Sequence, residues 1–191
     1  LIILDRYVER VRRAERRVWI ENGYFFPPQR LVDALGEAAE RGVDVRIIAP
    51  SKTDLRIVKW AARGEYERWL ARGIRIFEFE PRILHSKAAV IDDDWATVGS
   101  LNLNVLSLTA ANELNLVVHD RPFVETTARY LEKDFGRSRE VFAREIRARS
   151  WVRRALSAIL ARIFRWYEGA SSRLLSPGEV PRALLASRRG A

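Results

Sequence analysis

The chain of 191 residues lacks cysteine and methionine entirely and contains only two histidines. Without cysteine it can form neither a disulfide nor a cysteine-ligated metal site, and thiol content says nothing about its compartment. Its apolar runs are all shorter than the roughly 20 residues that a membrane-spanning helix needs. Because Leu1 stands where a translated chain has Met, and charges follow Leu4 directly, we expect a fragment of a longer protein and no signal peptide.

Charge is distributed unevenly along the chain. Residues 1–136 contain 21 basic and 21 acidic side chains, whereas residues 137–191 contain 13 arginines, no lysine and 4 glutamates. The C-terminal part therefore carries the whole net charge of +9, and such a block attracts nucleic acid or anionic lipid. The neutral first part argues against a broad basic nucleic-acid cleft there. Abundant arginine and alanine are typical of a bacterial source.

Helix-like and strand-like segments alternate through the first part of the chain. Apolar residues at helical spacing are separated by short β-rich runs, and turn signals such as Glu21-Asn22-Gly23 end these runs. The predicted strands cover residues 18–20, 43–49, 74–79, 87–92, 95–98 and 113–119. A long helical stretch is expected from Pro122 to about Arg149, and Gly64 is a possible interruption of an earlier helix. This order predicts an α/β fold with a mixed β-sheet flanked by helices.

Side chains suited to phosphate chemistry surround the predicted strand that begins at Lys87. His85 and Lys87 project from one face, because alternate residues of a strand face the same side. An imidazole is a nucleophile or proton carrier near neutral pH, and a lysine beside it suits a phosphoryl oxygen. After the next strand, the Ser100 hydroxyl and the Asn102 amide can donate hydrogen bonds to a phosphate. Glu113 can hold the imidazole in one tautomer, although an ordinary surface carboxylate is an open alternative.

These residues belong to one longer motif. Its fixed positions are His85, Lys87, Asp92, Gly99, Ser100 and Asn102. The positions and their spacing resemble the HxKxxxxD signature, or HKD motif, of the phospholipase D superfamily. Residues 19–27, 42–47 and 73–79 further resemble the second half of bacterial cardiolipin synthases, so the likeness covers about residues 5–150.

The resemblance implies a two-histidine mechanism. Members of the superfamily carry two copies of the motif, which face each other. One histidine attacks phosphorus and forms a phosphohistidine, while the other protonates the leaving alcohol and then activates water or an acceptor alcohol. His85 is favoured as the general acid/base, with the nucleophilic role left open. No metal or other cofactor is implied.

The resemblance also assigns roles to the other motif residues. Lys87 and Asn102 are implied phosphate ligands, and Ser100 is a supporting donor. Glu113 is the implied carboxylate that orients the histidine, whereas Asp92 and Gly99 are expected to be structural. Tyr24 follows the first strand, where α/β sheets place ligands, and it is a candidate for the lining of the substrate pocket.

Only one copy of the motif is present. The second histidine, His119, has no lysine two residues later and is expected to end a strand. A second motif must therefore come from a missing upstream half, which we favour, or from a homodimer partner. Asp93 and Asp94 could suggest a metal site, but a run of aspartates beside Trp95 is more typical of a solvated turn.

The C-terminal part is expected to differ from the half domain at residues 1–149. Residues 150–168 place apolar side chains at helical spacing with arginine as the only charged residue before Glu168. This pattern fits a basic amphipathic helix at a lipid interface, or ordinary packing on the domain. The expected membrane contacts are Trp151, Arg153, Arg154, Arg162, Arg165 and Trp166. Residues 169–191 are expected to form a loosely ordered tail.

These expectations lead to one favoured function. It is phosphatidyl transfer of the cardiolipin synthase kind, which joins two phosphatidylglycerols and releases glycerol, or phospholipase D hydrolysis with water as acceptor. The expected place of action is the surface of a bacterial cell membrane, peripherally and on the cytoplasmic side, with anionic phospholipid as the partner. The alternatives are a homodimeric nuclease or other phosphodiesterase of the superfamily, and a catalytically silent membrane-binding half.

Overall fold

The computed structural model describes residues 2–174, which fold into seven helices and seven strands. The helices are α1 (Ile2–Arg13), α2 (Gln29–Glu40), α3 (Arg56–Ala71), α4 (Val105–Ala110), α5 (Arg121–Gly136), α6 (Ala143–Arg147) and α7 (Trp151–Leu174). The strands are β1 (Arg17–Asn22), β2 (Asp44–Pro50), β3 (Arg75–Phe79), β4 (Lys87–Ile91), β5 (Trp95–Gly99), β6 (Asn115–Val118) and β7 (Ser138–Val141). Within residues 2–174, no helix is long and apolar enough to cross a membrane.

All the strands join one mixed sheet in the order β6-β5-β4-β1-β2-β3-β7. The first three strands are parallel, since α2 and α3 provide the crossovers that parallel pairing requires. The other strands pair antiparallel with their neighbours, and the β4–β5 connection is a tight turn at residues 92–94. The predicted α/β fold with a mixed sheet and flanking helices is confirmed.

Helices cover both faces of the sheet. Side chains from α1, α2 and α3 pack on one face with Val18 and Ile20, which alternate along β1. Trp19 points to the other face and packs with Phe135 of α5. Fully burying an aliphatic side chain of this kind stabilises the fold by about 1.5–3 kcal/mol, so the alternation in β1 fixes which face each helix occupies.

The helical stretch expected from Pro122 to about Arg149 is wrong in its middle. Helix α5 ends at Gly136, and β7 then pairs with the edge of β3 before the short α6 begins. Ion pairs hold the added strand: Glu140 accepts from Arg75 at 2.8 Å, and Arg139 donates to the buried Glu78 at 3.1 Å. Tertiary pairing of this kind overrides local helix propensity.

Helix α7 packs along α3. The expected interruption at Gly64 is wrong, since α3 runs through it without a break. A Cβ atom at Gly64 would lie 2.3 Å from the Ser157 carbonyl oxygen, so the glycine serves the close approach of the two helices. Helix α7 also continues to Leu174, beyond the end expected at residue 168, and residues 175–191 of the expected tail lie outside the described residues.

Candidate active site

The candidate site lies where the end of β1 meets the start of β4. Lys87 pairs with Asn22 across these antiparallel strands, and the Gly23 N–H donates to the Ser86 carbonyl oxygen at 3.0 Å. A Cβ atom at Gly23 would lie 2.7 Å from the Leu84 carbonyl oxygen. Only glycine therefore lets the turn after β1 approach the segment that carries His85.

Lys87 is a partly desolvated cation beneath His85. Its side chain is buried, and Nζ donates to the backbone carbonyl oxygen of His85 at 2.6 Å. Burial lowers the pKa of Lys87, and the nearby carboxylate of Glu113 opposes that shift. Among residues 2–174 the Lys87 ammonium has one hydrogen-bond acceptor, so it keeps donor capacity for an anionic ligand.

His85 itself is exposed and lies beside Tyr24. The two rings meet edge to face, with 6.4 Å between their centroids. The Tyr24 hydroxyl donates to Asp54 Oδ1 at 2.6 Å, and this bond, helped by burial, raises the pKa of Tyr24 to about 12. The same bond lowers the pKa of Asp54. Tyr24 is thus held next to the imidazole as a protonated phenol. Its place in the lining of the substrate pocket stays a prediction.

Ser100 and Glu113 are joined to each other. The Ser100 hydroxyl donates to the Glu113 carboxylate and accepts from the Leu114 N–H at 3.0 Å. A Cβ atom at Gly99 would lie 2.3 Å from the Leu114 carbonyl oxygen, so glycine is needed where β5 and β6 converge. In the part of the chain that the structure describes, Glu113 pairs with Ser100 and not with the imidazole. Its orientation of His85 stays a prediction.

The side chain of Asn102 has an unused polar group. Its Oδ1 is buried and has no hydrogen-bond partner among residues 2–174. An unpaired buried polar group costs about 1–3 kcal/mol, which makes such groups rare without a cause. A half-turn of the amide would place its NH₂ donors at the same position. The amide therefore has unused hydrogen-bonding capacity, which a phosphate-binding role would use.

Two further asparagines hold the loop that contains Asn102, and the sequence pattern did not identify them. Asn22 is buried, donates to the Leu101 carbonyl oxygen at 3.1 Å and accepts from the Leu103 N–H at 3.1 Å. Asn104 caps α4 and donates to the Tyr24 carbonyl oxygen at 3.2 Å. These bonds tie the loop after β5 to the loop after β1. The sequence pattern identifies Asn22 only as part of a turn.

Asp92 lies at the far end of β4 from His85, in the turn to β5. Its Oδ1 accepts from the backbone N–H groups of Arg16 and Arg17, at 2.9 and 3.2 Å, and both carboxylate oxygens lie near the N–H of Glu15. Its backbone has a φ of 52°, a left-handed conformation that aspartate tolerates better than most residues. These contacts are structural and connect the α1–β1 turn to the β4–β5 turn.

Asp93, Asp94 and the second histidine, His119, lie near Asp92 and away from His85. Asp93 forms an ion pair with Arg17 at 2.8 Å, and Asp94 pairs with Arg10. His119 Nδ1 contacts the Asp94 carbonyl oxygen at 3.0 Å. Across residues 2–174, no three acidic or histidine side chains are grouped as metal ligands.

One of the expected membrane contacts on α7 is wrong. Arg165 faces the domain, where it donates to the Pro27 carbonyl oxygen at 2.8 Å and pairs with Glu168 at 2.9 Å. Its guanidinium also lies 4.5 Å from the centroid of the Phe26 ring. The helical spacing places Arg165 on the flank that meets the loop after β1. By contrast, Trp151, Arg153, Arg154, Arg162 and Trp166 are exposed.

Comparison with known proteins identifies relatives for most of the chain. The family model described as "Cardiolipin synthase, PLD-like domain" matches residues 7–136. Cardiolipin synthase B of Salmonella typhi is 46% identical over 120 residues, which cover 63% of this chain and 29% of that protein. Cardiolipin synthase A of Pseudomonas putida (strain GB-1) is 38% identical over 141 residues, which cover 74% of this chain and 29% of that protein. The chain thus matches less than a third of the length of these relatives.

Solved structures share the fold. Nuc of Salmonella typhimurium, a phospholipase D family member, superposes with a TM-score of 0.61 at 20% identity, covering 72% of this chain and 90% of that one. The phosphatidylserine synthase of Haemophilus influenzae Rd KW20 superposes with a TM-score of 0.66 at 14% identity, covering 88% of this chain and 43% of that one. At these identities the likeness establishes the fold alone.

Proposed function

Because the chain belongs to the family of cardiolipin synthase, PLD-like domains, we propose that it supplies one half-site of an enzyme that transfers phosphatidyl groups between phospholipids. The donor is phosphatidylglycerol, and the acceptor is a second phosphatidylglycerol or water. The observation that carries this proposal is the exposed His85 above the buried Lys87, with the unpaired Asn102 amide on the adjoining loop. These groups together suit a phosphodiester and its negative charge.

In the proposed reaction each histidine has one task. The histidine of the partner half attacks phosphorus, and the bond from phosphorus to the glycerol oxygen breaks. His85 gives its proton to that oxygen, and glycerol leaves. His85 then takes the proton of the incoming hydroxyl, whose oxygen displaces the histidine from phosphorus, and both histidines return to their starting states. Lys87 and Asn102 hold the phosphoryl oxygens throughout, because their donors suit the charge that develops there. Ser100 joins them as a supporting donor when its hydroxyl turns from Glu113 to the phosphate.

An exposed apolar edge beside the site supports the need for a partner half. Leu114 is 80% exposed and Leu116 is 59% exposed, and β6 forms one edge of the sheet. Unpaired strand edges that carry large apolar side chains usually meet another chain or domain. Glu113 directly precedes these leucines, so a partner on this edge would lie against the site. A missing upstream half and a second copy of the chain both fit.

The proposal is tested with substrates of two classes. The chain, alone and with a motif-bearing upstream half, is incubated with vesicles of labelled phosphatidylglycerol and, in parallel, with a bis-phosphodiester DNA analogue. We expect cardiolipin or phosphatidic acid from the complete site and no cleavage of the DNA analogue. DNA-analogue cleavage without lipid turnover would establish the nuclease alternative instead. Absence of turnover from a verified two-motif assembly would establish the catalytically silent alternative.

Two histidine variants assign the site. His85→Ala should abolish turnover in any active assembly, because both proton transfers of the proposed reaction use its imidazole. His119→Ala is the matched control, since His119 is also exposed but lies at the opposite end of the strands. Full activity of the His85→Ala assembly would show that the site is assigned wrongly.

A further inference from the structure

Helix α7 has two faces of different character. One face packs on α3 and on the loop after β1, where Phe164 meets Phe26 with 5.2 Å between ring centroids. The opposite face is exposed and apolar over four helical turns. We call this face the outer stripe, and it consists of Val152, Leu156, Ile159, Ile163, Trp166 and Tyr167. Contiguous exposed apolar surface of this kind marks an interaction site.

An arginine-lined groove lies at the start of α7. It has a volume of about 310 Å³ and is bounded by α3, α6 and α7, and Trp151 forms part of its wall. We call it the arginine groove, and its cationic residues are Arg63, Arg149, Arg153 and Arg154. Arg63 is paired with the buried Glu78 at 2.6 Å, and Arg154 lies 3.9 Å from Glu67.

Two of these arginines have a guanidinium that no carboxylate of the described residues neutralises. Within residues 2–174, neither Arg149 nor Arg153 forms an ion pair with a carboxylate. Burial, and repulsion from Arg63, lower the pKa of Arg149. An anion in the groove would relieve both effects, since it would pair with a partly desolvated guanidinium.

The charge around the outer stripe points to an anionic occupant. From Ser150 to Tyr167 the sequence contains arginines but no acidic residue. The exposed Trp151 and Trp166 stand near the two ends of the stripe, as amphipathic rings do at the boundary between lipid headgroups and acyl chains. Apolar surface flanked only by cations is the pattern of a helix that lies in the plane of an anionic bilayer surface.

A second half-site would meet a different part of the molecule. The exposed Leu114 and Leu116 beside the candidate site lie at the start of β6, at one end of the strand order. Helix α7 contacts α3, which packs on β3 toward the other end of the sheet. A partner that completes the site at β6 therefore leaves the outer stripe uncovered.

We infer that the outer stripe and the arginine groove form a docking surface for an anionic phospholipid bilayer. The stripe enters the headgroup–acyl boundary, and the groove binds the phosphate of one lipid. The inference rests on the proposed function, because a lipid-modifying site must reach substrate that stays in the bilayer. The packed face of α7 links this surface to the site, since Phe26 follows the Tyr24 segment beside His85.

Vesicle binding tests the apolar part of this surface. The full chain is sedimented with vesicles of equimolar phosphatidylcholine and phosphatidylglycerol, and its partition coefficient is measured. Ile159→Ser/Ile163→Ser should lower that coefficient about tenfold or more, because two side chains no longer enter the boundary. Ile2→Ser/Tyr130→Ser is the matched control and should leave binding unchanged, since both residues are exposed and apolar but lie on α1 and α5. Circular dichroism verifies that each variant is folded.

A second pair of variants tests the charged part. Arg149→Gln/Arg153→Gln/Arg154→Gln should lower the partition coefficient roughly fivefold per arginine on the mixed vesicles. It should have little effect on vesicles of phosphatidylcholine alone. Arg121→Gln/Arg129→Gln/Arg137→Gln removes the same net charge from α5 and the residue that follows it. It should have a much smaller effect on the mixed vesicles, because α5 and α7 pack in different core clusters.

Several outcomes overturn the inference. Equal losses in the stripe variant and its control would show that binding is not made by α7. Dissociation of an oligomer by the stripe variant would identify a second copy of the chain as the occupant. Turnover of short-chain phosphatidylglycerol below its micellar concentration, measured with the complete site, separates docking from chemistry. If the wild-type assembly does not turn over the short-chain lipid, the proposed function is wrong. If it turns over that lipid but does not bind vesicles, only the docking surface is wrong.

Discussion

The clearest test of the fold's sequence requirements is a substitution series at Asp92. Its carboxylate accepts hydrogen bonds from three backbone N–H groups, at 3.2, 2.9 and 3.2 Å, which belong to Glu15, Arg16 and Arg17. Its backbone φ of 52° is left-handed. Alanine is disfavoured in this conformation, because it has a Cβ atom but no polar group that can form a local hydrogen bond. The two features contribute separately to stability, and different substitutions remove one, the other or both.

The magnitude follows from these contacts. The three bonds are partly exposed, so each contributes about 1 kcal/mol, below the value for a shielded charged acceptor. The left-handed backbone adds about 1 kcal/mol against alanine. Asp92→Ala should therefore lower the free energy of unfolding by about 3–4 kcal/mol, and Asp92→Gly by about 1 kcal/mol less, because glycine tolerates the positive φ. Asp92→Asn keeps one acceptor oxygen and should cost about 1 kcal/mol.

Equilibrium unfolding in urea at neutral pH measures the series, and turnover per folded molecule is measured with the complete site. Because Asp92 lies at the opposite end of β4 from His85, turnover of the folded fraction should not change. Wild-type stability in Asp92→Ala would refute the structural role. Loss of turnover in a stable Asp92→Asn variant would show that the carboxylate acts in the reaction.

Two further predictions come from the same structure. Burial, reinforced by the charge of Asp134, raises the pKa of Glu21 to about 7. The stability that Glu21 contributes below its ordinary pKa of 4.5 is therefore lost as the pH rises through about 7. Glu21→Gln should therefore raise the free energy of unfolding near pH 8 by about 1–3 kcal/mol relative to the wild type and change it little near pH 4. Urea unfolding measures both proteins across this pH range, and a constant difference between them would contradict the prediction. Gly99→Ala should lower the melting temperature and reduce turnover, because its Cβ would lie 2.3 Å from Asn115 Oδ1 and displace the strand next to Glu113. Gly136→Ala is its control, since nothing lies within 4 Å of a Cβ there, and equal effects of the two substitutions in thermal unfolding and turnover would argue against the close-approach account.

The alternation of helix and strand was enough to predict the α/β fold. Short β-rich runs such as Val18-Trp19-Ile20 are buried on both faces, and their helices carry apolar residues at a recognisable period. β7 was missed because Ser138–Val141 follows a helix directly and has no apolar alternation. What makes it a strand is the edge of β3 and the buried charge of Glu78, and neither is visible from local sequence.

Spacing predicted the motif residues, while the contacts that hold them required the folded chain. Spacing predicts that His85 and Lys87 project together, and the folded chain adds the bond from Lys87 Nζ to the His85 carbonyl oxygen. Asn22, which joins the loops after β1 and β5, pairs with residues far along the sequence, so no local pattern could reveal it. Arg165 was misplaced for a related reason, because a helical period cannot say which flank meets the Phe26 loop.

We propose that this chain holds one of two catalytic half-sites. The most direct test measures phosphatidylglycerol turnover and solution mass together, in one buffer and over a range of chain concentrations, with and without a motif-bearing upstream half. We expect no turnover from the monomer and turnover only from an assembly that contains two motifs. His85→Ala should abolish that turnover. Turnover proportional to the concentration of monomeric chain, or persisting in the His85→Ala assembly, would contradict it.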